Sequence, residues 1–313
     1  MKIPTFQAAV VYFAEERNAI DYMVRLRWPD GVVKCPTCDS TDVTFLPTRS
    51  LFQCKGKHRS RQFSVKVGTV LESSPIPLGK WLLTAWMLMN CRNGVSSYEV
   101  ARTIGVTQKS AWFMLHRLRL AMQDFQPMKL RGVVEADETF VGGLVKNMHP
   151  SKRPAGTGYS GRPVGAMAKT IVAGMVERGG SVKAAIIPER SKEVIHELTQ
   201  KHIEPGSTLI SDEWGGYRGT GLEHHVINHA ESYVLGPVHT NTIENFWSCL
   251  KRTLKGTYIA VQKQHLMAYV QEQSFRFNHR KKALYSEEMR FQAALGGMVG
   301  KRLTYKELIG KVA

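Results

Sequence analysis

The sequence predicts an α+β protein of several domains, and three observations lead to this prediction. Cys35, Cys38 and Cys54 lie within the first seventy residues at spacings that are typical of a metal site. Apolar residues then recur at three- and four-residue spacing through residues 78–122, which is the periodicity of helices. From Gly132 onward, short apolar and β-branched runs bounded by turn residues indicate strands.

The composition points to a polyanionic partner. The chain has 313 residues, and 43 Lys and Arg against 26 Asp and Glu give a net charge of +17. Such an excess of positive charge favours binding to nucleic acid. The longest apolar stretch, residues 81–89, is too short to span a membrane, and residues 1–17 lack the apolar segment of a signal peptide. We therefore expect no membrane partner and a cytoplasmic, nucleoid-associated location.

The first predicted domain, residues 1–70, combines an N-terminal helical region (1–34, with a turn at 27–31) and a metal site. Five cysteines without an export signal argue against a disulfide framework. Cys35, Cys38, Cys54 and His58 have the spacing of a zinc ribbon, in which thiolates and an imidazole surround a structural Zn²⁺. The alternative is four unrelated residues, which the strand-like segment 62–65 disfavours.

The second predicted domain, residues 71–128, consists of helices. Ser96, with Glu99 three residues later, predicts the start of a short helix that ends at Ile104. Gly105 breaks the chain before a second helix at 108–120. We interpret this pair as a DNA-binding helix-turn-helix, and plain packing of two helices is the alternative. The predicted phosphate contacts of the second helix are Lys109, Arg117 and Arg119.

The third predicted domain, residues 129–260, has the element order of an RNase H-like mixed-sheet catalytic domain. That order is three strands, a helix, a strand and a helix. The predicted elements are strands at 133–141, 170–176, 182–187 and 208–211, a possible strand at 225–227, and helices at 191–202 and 241–255. A helical C-terminal segment, residues 261–313, completes the chain.

Three acids from separate elements of this domain form the predicted catalytic site: Asp137, Asp212 and Glu244. Carboxylates brought together repel each other unless cations lie between them, and oxygen ligands suit Mg²⁺. Two such metals about 4 Å apart would bind the attacking and the leaving oxygen of a phosphoryl transfer. Asp137 would bridge the two metals, and Asp212 and Glu244 would bind one each. Strand alternation places Glu135 on the same face as Asp137 and Glu138 on the opposite face, so Glu135 stays an alternative ligand.

Glu244 and two neighbouring features of the sequence each allow two interpretations. Glu244 lies three residues after Asn241, which is also the spacing of a capping box. Lys251, two helical turns beyond Glu244 on the same face, favours the catalytic reading because it is placed to contact DNA. His239 is either part of the ligand surroundings or a turn residue. The basic segment 146–162 is either a DNA contact or a solvated linker, and its charge favours DNA.

Several motifs resemble those of the zinc-ribbon DDE transposases of bacterial insertion sequences, the ISXO-like group. The resemblance lies in segments 134–143, 211–212 and 239–248, supported by 67–70, 250–252, 255–258 and 276–278. It implies cleavage of terminal inverted repeats and joining of 3′-hydroxyl ends to double-stranded target DNA. It also implies Mg²⁺ dependence, with Mn²⁺ as a possible substitute, contacts of Lys251 and Arg252 with DNA, and a homodimer or larger assembly. One departure is His58, which stands where the family has a Cys-x-x-Cys pair, although histidine also binds zinc.

Three functional hypotheses follow from these patterns. The leading one is a metal-dependent transposase. The second is a sequence-specific DNA-binding regulator in which the sheet domain is an inactive scaffold. The third is another nuclease with the same fold, such as a ribonuclease H or a junction resolvase. The N-terminal modules favour recognition of DNA ends over general hybrid cleavage.

Overall fold

A computed structural model describes Ile3 and residues 5–123, 128–143, 169–227, 239–280 and 286–311. The chain divides into two compact units, one of residues 1–125 with 284–313 and one of residues 126–283. Among the described residues, no helix combines the length and the apolar character that crossing a membrane requires. The predicted basic segment 146–162 lies outside the described residues.

The first unit begins with two helices and a small sheet. Helix α1 is Phe6–Ala14 and α2 is Glu16–Arg27. The helical region ends at Arg27 rather than at 34, because Pro29 disfavours helical backbone at Trp28. The strands β1 Val43–Leu46, β2 Leu51–Cys54 and β3 Gln62–Phe63 then form an antiparallel sheet in the order β1-β2-β3.

Three further helices follow, namely α3 Leu78–Asn90, α4 Ser97–Ile104 and α5 Gln108–Ala121. The predicted start of α4 is confirmed, because Ser96 and Glu99 exchange both hydrogen bonds of a capping box. Gly105 ends α4 in the left-handed conformation, with φ 63°, which glycine adopts without steric cost. The helix pair is therefore present, with the turn where the sequence places it.

Helix α5 is largely buried, and this corrects two predicted DNA contacts. Arg119 is 1% exposed and Arg117 is 6% exposed. Arg117 donates to the backbone carbonyls of Leu303 and Glu72, both at 3.0 Å. These two guanidinium groups belong to the interior of the unit, so the prediction that Arg117 and Arg119 contact DNA phosphates is wrong for this structure. The sequence could not show it, because helical periodicity does not reveal a helix that is surrounded on most sides.

The second unit is built on a mixed sheet. Its elements are β4 Val133–Val141, β5 Thr170–Glu177, β6 Val182–Ile187, α6 Lys192–His202, β7 Thr208–Asp212, β8 Glu223–Ile227, α7 Asn241–Thr253 and α8 Leu266–Asn278. The strands follow the order β6-β5-β4-β7-β8. β4, β5 and β6 are antiparallel neighbours, whereas β4, β7 and β8 are parallel. The predicted strands are thus all present, and helix α7 ends at Thr253 where a π-helical turn follows.

Each face of this sheet has its own apolar core. Val134 and Ala136 of β4 pack with Ile195 of α6 on one face. On the other face, Ile243, Phe246 and other residues of α7 pack with α8 and with β5. Alternate residues of β4 therefore point to α6 and to α7, which is the period-2 pattern of a strand buried on both faces.

The C-terminal region is divided between the two units. Asn278, at the end of α8, accepts from the backbone N–H of Val182 at 2.7 Å and donates to its carbonyl at 3.1 Å. This clamp holds α8 on β6. The later helices, α9 Glu287–Gly296 and α10 Tyr305–Leu308, belong to the first unit, where α9 packs on α3. The predicted segment 261–313 thus contributes to two cores. The sequence does not show where the segment divides, because this depends on tertiary packing.

Candidate active site and metal cluster

The four predicted zinc ligands meet at the end of the small sheet. Within the described part of the chain, their ligand atoms form a group in which all lie within 4.8 Å of one another. Cys35 Sγ is 3.4 Å from His58 Nε2, and Cys38 Sγ is 3.7 Å from Cys54 Sγ. A Cβ atom at Gly56 would come within 3.2 Å of two of these sulfurs, so glycine leaves room for the cluster. Three sulfurs and one imidazole nitrogen in this arrangement support a structural Zn²⁺.

Asp137 lies in the middle of β4, on the face of the sheet that α7 covers. Its Oδ2 accepts from the indole N–H of Trp247 at 3.0 Å, and its Oδ1 accepts from the backbone N–H of Glu138 at 2.8 Å. Burial, together with the charges of Glu138 and Asp212, outweighs these hydrogen bonds and raises the pKa of Asp137 to about 6. Asp137 is therefore a carboxylate with neutral donors and acidic neighbours.

Asp212 ends β7, the parallel neighbour of β4. Glu135 pairs with Ile210 in that register, and two residues further along both strands Asp137 and Asp212 reach the same level of the sheet. Asp212 Oδ2 accepts from Arg190 at 3.1 Å, and its Oδ1 accepts from the backbone N–H of Trp214 at 3.2 Å. Its side chain remains one-third exposed, so a ligand can reach it.

Arg190 also binds Glu138, which points to the opposite face from Asp137. Glu138 accepts from Arg190 at 2.6 Å and from the hydroxyl of Tyr217 at 2.5 Å. Burial raises the pKa of Glu138, and these two donors oppose that rise. The guanidinium of Arg190 lies 4.2 Å from the ring centre of Trp214, which fixes its direction. Glu138 therefore acts as a structural partner of Arg190.

Glu244 is in the first turn of α7 and is exposed. The cap of α7 is Thr240 rather than Asn241, and Thr240 makes no side-chain cap hydrogen bond. The capping-box alternative for Glu244 is therefore not realised, and its Oε1 instead accepts from the Thr240 hydroxyl at 2.9 Å. Glu244 precedes Trp247 by one turn, which places it on the helix side that contacts Asp137. The carboxylate oxygens of Asp137, Asp212 and Glu244 do not all lie within 4.8 Å of one another, whereas the ligand atoms of the cysteine cluster do.

A glycine on β5 makes the contact between α7 and Asp137 possible. Gly174 pairs with Asp137 across the antiparallel strands. A Cβ atom at Gly174 would lie 2.6 Å from Trp247 Cη2 and 3.0 Å from Ile243 Cδ1. The absent side chain therefore lets the indole approach β5 closely and direct its N–H at the carboxylate.

Three of the predicted DNA contacts are exposed. Lys251 and Arg252 lie in the last turns of α7. Lys109, in the first unit, lies in the first turn of α5, and its Nζ is 4.7 Å from the ring centre of Tyr305. These cations are available to a polyanion, unlike Arg117 and Arg119.

Sequence reasoning missed the roles of several residues around the acids. Arg178 and Arg190 each lie just after a strand, β5 and β6 respectively, and bind the acids of β4. Trp247 and Tyr217 are buried, and each also donates a hydrogen bond to an acid. An arginine within three residues of the end of a strand was the available signal, and its use required knowledge of the strand order.

Comparisons with known proteins agree with this arrangement. Residues 129–278 match the ISXO2-like transposase domain, and residues 14–56 match the transposase zinc-ribbon domain. His58 lies just beyond the second match. The uncharacterized protein in transposable element ISH50 of Halobacterium salinarum is 27% identical over 269 residues, which cover 82% of this chain and 89% of that protein. The resemblance found in the sequence is thereby confirmed: the chain has the zinc-ribbon domain and the ISXO2-like transposase domain of insertion-sequence transposases.

Proposed function

We propose that this protein is a transposase that cleaves the ends of an insertion sequence and joins their 3′-hydroxyl groups to target DNA. One observation carries the proposal. Asp137 and Asp212 reach the same level of two adjacent parallel strands, and helix α7 brings Glu244 to the side that contacts Asp137. The mixed strand order, with antiparallel β4 to β6 and parallel β7 and β8, supports an RNase H-like domain.

The chemistry of these side chains suits a hard divalent cation. All three donors are carboxylates, and the raised pKa of Asp137 reflects burial and negative charge that lacks compensation. In this proposal Asp137, Asp212 and Glu244 hold Mg²⁺, or Mn²⁺ in its place. When bound, a pair of such ions supplies activation of the attacking hydroxyl and stabilisation of the leaving oxygen.

The protein side chains position these acids and the DNA. Trp247 holds one oxygen of Asp137, and Arg190 holds one oxygen of Asp212. Lys251 and Arg252, exposed beyond Glu244 on α7, bind the phosphates of the DNA end in this proposal. The net charge of +17 supplies the longer-range attraction.

Recognition of the terminal inverted repeats is assigned to the first unit. The α4–α5 pair offers an exposed N-terminal turn of α5 with Lys109, and this turn is the part of such a helix that reaches the groove. Bringing two DNA ends together requires two copies of the active site, so we expect a homodimer or larger assembly on DNA.

The test is a cleavage and joining assay on DNA that carries the flanking ends of the gene, with Mg²⁺. Asp137→Asn, Asp212→Asn and Glu244→Gln should each abolish both steps and leave DNA binding intact. Glu213→Gln is the matched control, because Glu213 is an exposed acid next to Asp212. Binding of the ends by wild type without any cleavage would favour the DNA-binding regulator instead. Cleavage of RNA–DNA hybrids without regard to the ends would favour a ribonuclease.

A further inference from the structure

Glu135 is a fully buried carboxylate that closes the N-terminus of α7 from a neighbouring strand. It has 0% exposure on β4. Its Oε2 accepts from the backbone N–H groups of Thr242 and Ile243, at 2.8 and 3.0 Å. The first N–H groups of a helix have no partner within the helix, and a negative charge there also interacts favourably with the helix dipole. Glu135 therefore caps the N-terminus of α7, because the side chain of the N-cap residue Thr240 makes no cap hydrogen bond.

The second oxygen of Glu135 binds the segment that leads into the helix. Oε1 accepts from the Thr242 hydroxyl at 3.0 Å and from Arg178 Nε at 2.8 Å, and it lies 3.3 Å from His239 Nδ1. Arg178 in turn donates to the backbone carbonyl of His239 at 2.7 Å. The buried charge is thus compensated by a cation and by several hydrogen bonds, which is what burial of a carboxylate requires. Glu135 is fully buried and its charge is already compensated by Arg178, which argues against Glu135 as a metal ligand.

We propose that Glu135 is a positioning residue that sets the place of Glu244 relative to Asp137. Glu135 and Asp137 are two residues apart on the same face of β4, and Glu244 directly follows Ile243, whose N–H Glu135 holds. A short connected path therefore joins the two acids. The role of Glu244 in this inference rests on the function proposed above. A shift of α7 along β4 would move Glu244 while leaving Asp137 in place.

The first experiment tests the fixation of the helix and does not depend on the activity. Hydrogen exchange is measured on zinc-loaded wild type and on Glu135→Gln, which removes the negative charge and leaves one acceptor oxygen for the donors that both oxygens of Glu135 bind. The backbone amides of Thr242 and Ile243 should exchange about tenfold faster or more, since a neutral acceptor binds them more weakly than a carboxylate and interacts less with the helix dipole. Amides of α6 should be unchanged. Glu193→Gln is the matched control, because it removes an exposed charge from the first turn of α6.

The second experiment tests whether the effect reaches Glu244. Mn²⁺ binding to zinc-loaded protein is measured by calorimetry for wild type, Glu135→Gln, Glu244→Gln and the double variant. Glu135→Gln should weaken binding about 10- to 100-fold, as loss of a supporting partner does at other metal sites. In the Glu244→Gln background it should have little further effect, because it acts through Glu244. Thr242→Val removes one contact and should give a smaller change of the same kind, which keeps the test valid if Glu135→Gln folds poorly.

The possible results separate this inference from the proposed function. Unchanged exchange at Thr242 and Ile243 would overturn the inference, and so would additive effects of Glu135→Gln and Glu244→Gln on Mn²⁺ affinity. If wild type bound no Mn²⁺ and cut no DNA, the proposed function would fail, and the role of Glu135 at Glu244 would fail with it. Faster exchange in that case would leave Glu135 as a helix cap alone.

Discussion

The pH dependence of stability should reveal the buried charge of Asp137. Its folded-state pKa of about 6 lies above the ordinary value of 3.8, because burial and the acids Glu138 and Asp212 disfavour ionisation. Folding therefore stabilises the protonated form. The contribution to stability is fully present below pH about 4, is lost as the pH rises toward 6, and stays lost above that value.

The difference between the two pKa values gives the size of the effect. It corresponds to a loss of up to about 3 kcal/mol in the free energy of unfolding. Asp137→Asn does not ionise, so it should gain that amount relative to wild type between pH 4 and 7. Asparagine has one acceptor oxygen for the two donors Trp247 and Glu138, which costs about 1–3 kcal/mol, but this cost is the same at every pH. The pH-dependent part of the difference thus isolates the carboxyl group.

The assay is urea unfolding of zinc-loaded wild type and Asp137→Asn at pH 4.5–7.5, without Mg²⁺ or Mn²⁺. Hydrogen exchange of peptides from β4 and β5 should report the transition, because a chain of two units need not unfold in one step. A stability difference between the two proteins that stays constant across this pH range would refute the explanation that burial and acidic neighbours raise the pKa of Asp137. Added Mg²⁺ should then stabilise wild type and leave the Asn variant nearly unchanged, since a ligand that binds the folded state alone stabilises it.

Two further substitutions test the supporting structure. Gly174→Ala should lower the free energy of unfolding by about 1–3 kcal/mol and weaken cleavage, because its Cβ would displace Trp247 from Asp137. Urea unfolding measures the first effect, and Gly215→Ala, with open space around its Cβ, should change little. Cys38→Ser should lose bound zinc, whereas Cys91→Ser, outside the cluster, should keep about one equivalent. Elemental analysis measures the zinc content, and equal content in both variants would contradict the four-ligand site.

Much of the second unit could be predicted because its signals are local. The period-2 pattern and the flanking turn residues gave β4 and β6 with the bounds that the structure has. The zinc ligands were accessible for the same reason, since their spacing along the chain carries the information. The burial of Arg117 was inaccessible, because it depends on Glu72 and on Leu303, which is 186 residues away in sequence. A charged residue on a predicted helix is normally exposed, and only the tertiary contacts reverse that expectation.

The four acids that strands β4 and β7 bring to this site differ in what compensates their charge, and that difference separates their roles better than their position in the motif does. Glu135 has Arg178 and the N-terminus of α7, and Glu138 and Asp212 share Arg190. Among the described residues, Asp137 has the N–H groups of Trp247 and Glu138 and no ion-pair partner. It is also the acid whose pKa rises to about 6. Strand alternation cannot distinguish Glu135 from Asp137, which share a face, but the compensating charges can. The carboxylate left without a protein cation is the one where a bound cation would gain most, and this is the physical reason to place the metal at Asp137.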